Sequence, residues 1–106
     1  MRTIDLQAIG NRISERRKQL NYTQEFVAEK MNVSVQMISN LERGNKAIKI
    51  ENLIKISEIL DISTDYILTG KTTEKDISAI FNKITKLNTA DSKMVDMIID
   101  YCLNNR

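Results

Sequence analysis

Four side chains in one short stretch could do chemistry together: Gln36, Ser39, Asn40 and Arg43. At about 100° per residue they fall within roughly a third of a helix circumference. They mix long and short hydrogen-bonding groups and include no acid. A helical face of this kind suits the edges of bases in a major groove, where amides meet fixed patterns of donors and acceptors. Met37, Ile38 and Leu41 fall on the other side of the same helix and would seat it on a core.

The neighbouring residues supply what must position such a helix. Ser34 can cap it, and Gly44 can end it. Before it, Thr23 is a good cap for another short helix, with Glu25 where the helix dipole favours an anion. Val27, Ala28 and Met31 form the apolar stripe of that earlier helix. Asn32 follows, one of the few non-glycine residues that tolerates a left-handed exit. Val33 can plug the gap between the two helices, and the small Ala28 lets them approach closely. Gln24 to Gly44 therefore reads as two helices joined by a three-residue turn. The spacing matches a helix-turn-helix, in which the second helix lies in the major groove and the first crosses the backbone. The blander alternative is a helical hairpin whose polar face is merely solvated.

Residues from about Ile9 to Gly70 resemble the lambda-repressor/Cro-like (Xre-type) helix-turn-helix family. The resemblance is carried by RISERRKQLN, YTQEFVAEKMNVSVQMISNLERG and IENLIKISEILDISTDYILTG. It implies an all-α chain: a five-helix lambda-repressor-like DNA-binding domain, here with a C-terminal two-helix appendage. It also implies a transcriptional regulator, most often a dimeric repressor, acting on double-stranded DNA. Members usually carry proline shortly before the fourth helix; this chain has none, and Ile48 or Lys49 stands there.

Site roles follow from the resemblance at matching positions. Val35, Gln36 and Asn40 face base edges, with Ser39 assisting; Gln and Asn suit adenine, and Val suits a thymine methyl. Gln24 meets a phosphate and braces Gln36. Arg43, Asn45 and Lys46 lie along the backbone, Lys46 within reach of a base. Arg12 and Arg16 are further phosphate candidates. The implied operator is an inverted repeat with half-sites about 10 bp apart.

Leu6, Ile9, Ile13 and Leu20 mark one face of the first helix. Arg17 projects into the middle of that face, and a charge near a core needs a partner. The residues alone leave open that Arg17 snorkels to water beside Arg16 and Lys18. The resemblance offers Glu42, the acid just before the end of the recognition helix, as the other half of a structural ion pair.

Seven helices and no convincing strand are expected in all. A fourth, about Ile50 to Leu60, carries Leu53, Ile54, Ile56, Ile59 and Leu60. Ser63 caps a short fifth helix, and Thr69-Gly70 closes a DNA-binding domain of residues 1–70. Residues 71–75 read as a linker. Thr73-Glu74-Lys75-Asp76 fits a capping box opening residues 76–106. There Ile77, Ile80, Phe81, Ile84 and Leu87 recur at helical spacing. Asn88 or Thr89 caps the last helix, which is apolar around more than half its circumference. One of its sides can pack on the sixth helix, and the other needs a further surface. A second copy of the chain is the simplest candidate, through Met94, Val95, Ile98, Ile99, Tyr101 and Cys102. Packing of both sides on the DNA-binding domain of the same chain is the alternative.

Composition narrows the function classes. Among 106 residues there is no histidine and one cysteine, Cys102, so a Cys/His zinc site and an intramolecular disulfide are excluded. Cys102 is expected as a small buried hydrophobe. Neither metal nor cofactor is expected. An enzyme is disfavoured, since no phosphate loop and no nucleophile–base pair is present. The N-terminus lacks the apolar run of a signal peptide, and no segment is long and apolar enough for a membrane span, so a cytoplasmic protein is expected. Residues 1–49 hold nine Lys/Arg against five Asp/Glu, and residues 50–106 hold seven against nine. The basic excess thus lies with the helix-turn-helix, although the modest total points to dimerisation for useful affinity. One further function competes with the repressor: the same fold as the antitoxin of a toxin–antitoxin pair, its C-terminal helices gripping a small protein, whether toxin or antagonist.

Overall fold

Helix ends, set by single residues, organise the chain. The computed structural model describes residues 4–72 and 74–105. Among these it contains seven helices and no strand: α1 (Leu6–Gln19), α2 (Gln24–Met31), α3 (Val35–Glu42), α4 (Ile50–Leu60), α5 (Thr64–Thr69), α6 (Glu74–Ile84) and α7 (Thr89–Asn104). Five start on a side chain that accepts a backbone N–H of the first turn: Asp5, Thr23, Ser34, Ser63 and Asn88. That satisfies one of the donors a helix start leaves orphaned. Lys49 precedes α4 and has no acceptor to offer, so that helix starts without a side-chain cap.

The helices stop as uniformly. Asn21, Asn32, Gly44 and Asp61 adopt positive φ directly after α1 to α4. In each case the next N–H reaches back to close the last turn: Tyr22 to Arg17, Val33 to Ala28, Asn45 to Asn40, Ile62 to Ser57. Asn and Asp manage this conformation where most residues with a Cβ are strained.

With the ends set, the apolar stripes meet. Ile9, Ile13, Val27, Ala28, Met31, Ile38, Ile56, Leu60, Ile62 and Ile67 form one buried cluster, with Leu6, Leu20, Val33 and Leu53 packed at its edge. Helix α1 is the spine. One flank lies against α3 and the other against α4 and α5, while α2 packs on α3 and α4. A Cβ on Gly10 would run into the backbone carbonyls of Leu41 and Glu42, so the crossing of α1 and α3 requires glycine there.

The chain divides into two compact units, one through Asp76 and one from Ile77. Helix α6 begins at Glu74, inside the stretch expected as linker. Of the expected capping box, Thr73 lies outside the described residues. Asp76 accepts the Ser63 N–H at 2.9 Å and its hydroxyl at 2.7 Å, and so ties the start of α6 to the start of α5 within the first unit.

In the second unit α7 buries none of its residues. Cys102, expected as a buried hydrophobe, is exposed on this helix, because burial depends on a covering surface and not on the apolar character of the helix alone. Met94, Ile98, Ile99 and Tyr101 are exposed with it, and Val95 is half-buried; Ile77, Ile80 and Phe81 of α6 are exposed too.

Candidate nucleic-acid interface

Helix α3 has one side in the core and one side in water. Ile38 and Leu41 are buried, Val35 and Gln36 are exposed, and Ser39 and Asn40 are half-buried. The exposed side is linked along its length. The Gln36 amide donates to Asn40 Oδ1 at 3.3 Å, and the Arg43 guanidinium donates to the same oxygen at 2.9 Å. Asn45 and Lys46 follow in the loop after Gly44, both exposed. A groove beside α3 is lined by Gln36, Asn40, Lys46 and Lys49 among others. Lys49 was not among the residues expected at the site. Its signal was its place in a basic loop, masked by its reading as a substitute for proline.

Helix α3 is held from behind by a buried ion pair. Arg17 Nε lies 2.7 Å from Glu42 Oε2, and Nη2 donates to Oε1 at 3.0 Å. Such a fork is the geometry in which a guanidinium binds a carboxylate most strongly. The third arginine nitrogen donates to the Tyr22 carbonyl at 2.8 Å. Burial pushes the Glu42 carboxyl up. Hydrogen bonds from Arg17, Gln24 and Ser14, with the Arg17 charge, outweigh that and hold it below the ordinary range. The hydrogen bond from Arg17 to Glu42 in turn raises the guanidinium.

Three residues named for phosphates have hydrogen-bond partners within the chain. Gln24 turns its amide to Glu42 Oε1 at 3.0 Å, and Gln36 pairs with Asn40, so Gln24 braces the ion pair instead of Gln36. Arg12 donates to the Ile67 carbonyl at 2.9 Å, and Arg16 donates to the Leu60 carbonyl at 2.8 Å. Both guanidinium groups thus sit on the C-terminal turns of α5 and α4, where orphan carbonyls and the helix dipole favour a cation. The geometry of α1 explains this. Gly10 and Arg17 lie on its α3 side; Arg12 and Arg16, more than a quarter of a turn away, reach α5 and α4.

Helix α3, its polar side outward, packs on α2, which ends in the left-handed Asn32 three residues before α3 begins. A family model described as helix-turn-helix matches residues 13–67. The chain belongs to the helix-turn-helix family. Among relatives of this helix-turn-helix protein, the transcriptional regulator ImmR of Bacillus subtilis is 34% identical over 91 residues, 84% of this chain and 69% of ImmR. The crystal structure of the P22 c2 repressor with a synthetic operator matches at TM-score 0.59 and 38% identity, covering 61% of this chain and 98% of that one. A complex of the SinR and SinI proteins matches at TM-score 0.58 and 26% identity, covering 88% of this chain and 92% of that one. The helix-turn-helix protein is thus a DNA-binding regulator of the lambda-repressor-like type and not an enzyme. Among the described residues no helix is long and apolar enough to cross a membrane.

Proposed function

We propose that this chain is a dimeric, sequence-specific repressor that lays α3 in the major groove of an inverted-repeat operator. One observation carries the reading. The outward side of α3 presents Val35, Gln36, Ser39 and Asn40 with no acid, on a helix fixed from behind by the Arg17–Glu42 fork. Base readout needs donors and acceptors in a set orientation, and a helix held by a buried bidentate pair keeps that orientation before DNA arrives. Asn45, Lys46 and Lys49 stand beside it for the phosphates, which supply most of the affinity but no sequence information. The likeness to the P22 c2 repressor, whose structure is a complex with a synthetic operator, supports operator DNA as the partner.

The second copy enters through α6 and α7. Their exposed Ile, Met, Phe and Tyr side chains form the kind of apolar surface that marks a protein–protein contact. The likeness to the SinR–SinI complex, reaching well beyond the first unit of this chain, favours a second use of these helices: a small protein that competes for the same surface.

The test is selection of binding sites from random duplexes by the full-length protein. An inverted repeat with half-sites about 10 bp apart is expected. Gln36→Ala should relax preference at one base pair per half-site and weaken the specific complex by about 1–3 kcal/mol. Unchanged affinity and preference in that variant would show that α3 is not the reader.

A further inference from the structure

Asn40 carries an acceptor that is used twice. Its Oδ1 takes the Gln36 amide and the Arg43 guanidinium together, at 3.3 and 2.9 Å. These residues are spaced i, i+4 and i+7, so their polar ends lie in a line along the outer side of α3. Two consequences follow from the chemistry of the groups. With both lone pairs of its oxygen engaged, Asn40 keeps only its Nδ2 donors for a base, and Gln36 keeps its Oε1 acceptor. Arg43 is drawn back along the helix toward these two side chains, instead of outward to the loop where Asn45 and Lys46 stand.

Arg43 sits on the last turn of the reading strip. It is exposed, and no carboxylate pairs with it among the described residues. One of its five N–H donors is spent on Asn40, and a donor pair on another edge of the fork stays free. A fork of that shape fits the O6 and N7 acceptors of guanine as well as phosphate oxygens, and its bond to Asn40 places it on the strip beside Gln36 and not along the loop.

We infer that Arg43 reads a guanine and that Asn40 is the positioning residue that holds it in the groove. Arg43, Asn40 and Gln36 then act as one reading unit, and the backbone role implied for Arg43 by family resemblance passes to Asn45, Lys46 and Lys49. The inference rests on α3 being the groove-facing helix.

Arg43→Lys separates the two roles, because lysine keeps the charge and loses the fork. Sites are selected from random duplexes with full-length wild type, Arg43→Lys, Asn40→Ala and Gln36→Ala, and thermal melts confirm that each variant is folded. Wild type should select a G·C pair whose preference falls roughly tenfold to a hundredfold in Arg43→Lys. The slope of log K against log salt should stay at its wild-type value in that variant. Asn40→Ala should relax this same pair together with its own, so that one truncation loosens two positions. An Arg43→Lys protein that selects the wild-type sites would return Arg43 to the phosphates and overturn the inference. An Asn40→Ala protein that loosens one pair only would remove its positioning role. A Gln36→Ala protein indistinguishable from wild type would instead sink the α3 reading itself, and the inference with it.

Discussion

Arg17 and Glu42 show how much one buried pair can decide. Each would be costly alone in the interior, and their fork makes both acceptable. Arg17→Ala should therefore destabilise the protein by about 3–5 kcal/mol, since it strands Glu42 in a buried site. The joint change Arg17→Met, Glu42→Leu should recover much of that loss in urea melts, because two apolar side chains leave no charge behind. Strictly additive losses would mean that the two side chains do not interact. The pair also sets an acid limit. A carboxyl held below its ordinary value on folding contributes stability that is whole above about pH 4.5 and is lost as pH falls through the lowered folded value. Melting temperature should thus drop more steeply below pH 4.5 in the wild type than in the double variant. Arg16 offers the opposite experiment. Its bond to the Leu60 carbonyl predicts that Arg16→Ala costs about 1–3 kcal/mol of stability and leaves the salt slope of DNA binding unchanged. A slope reduced by about one would return Arg16 to the phosphate surface.

At the scale of elements, the crossing of α1 and α3 is the contact that fixes the place of α3. A glycine inside a helix is worth up to about 1 kcal/mol less than alanine. Gly10→Ala would therefore stabilise an isolated α1. In the folded chain the added methyl meets the Leu41 and Glu42 carbonyls, and backbone of that kind cannot move aside like the end of a flexible side chain. Overpacking of about 1–3 kcal/mol should win over the propensity gain. Urea melts should show Gly10→Ala as a net loss of about 1–2 kcal/mol, and operator affinity should fall with it, because α3 must shift. A stabilised Gly10→Ala protein would mean that α1 and α3 separate easily. The loop from Gly44 to Lys49 is the less constrained partner of this arrangement. It leads into α4 with no side-chain cap.

At the scale of the whole molecule, two units divide the work. Among the described residues, the first holds the whole buried cluster and ends at Asp76, whose carboxylate accepts from Ser63, the cap of α5. A fragment of residues 1–76 should fold; ending it at 71 would remove the carboxylate that holds Ser63. The second unit leaves Met97 71% and Ile98 56% exposed, so in isolation its helices lack the burial that stabilises helices in water. On the dimer reading, sedimentation should show the full chain as a dimer and the 1–76 fragment as largely monomeric at micromolar concentration. Operator affinity of the fragment should fall by about 10² or more, the effect of unlinking two binding modules. Ile98→Asp in the full chain should act in the same direction. A monomeric full chain would assign α6 and α7 to a different protein.

Local signals determined the helices of this protein. Thr23, Asn32, Ser34 and Gly44 cap and end helices through hydrogen bonds that span at most five residues, and the apolar stripes of α1 to α4 repeat at the helical period. The seven helices and the helix-turn-helix were legible for that reason. So was the polar face of α3, since residues on one helix share a side by spacing alone. Long-range contacts were decided only in the tertiary structure. The partner of Arg17 came from family resemblance and not from spacing, and the need for glycine at position 10 depends on a helix some thirty residues away. Arg12 and Arg16 read as surface cations until α5 and α4 bring their C-terminal carbonyls within 3 Å. Cys102 reads as buried in any apolar helix, yet it is exposed on α7, since burial is a property of the surface opposite and not of the helix itself. Sequence periodicity states which side of a helix is apolar; only packing states what, if anything, covers it.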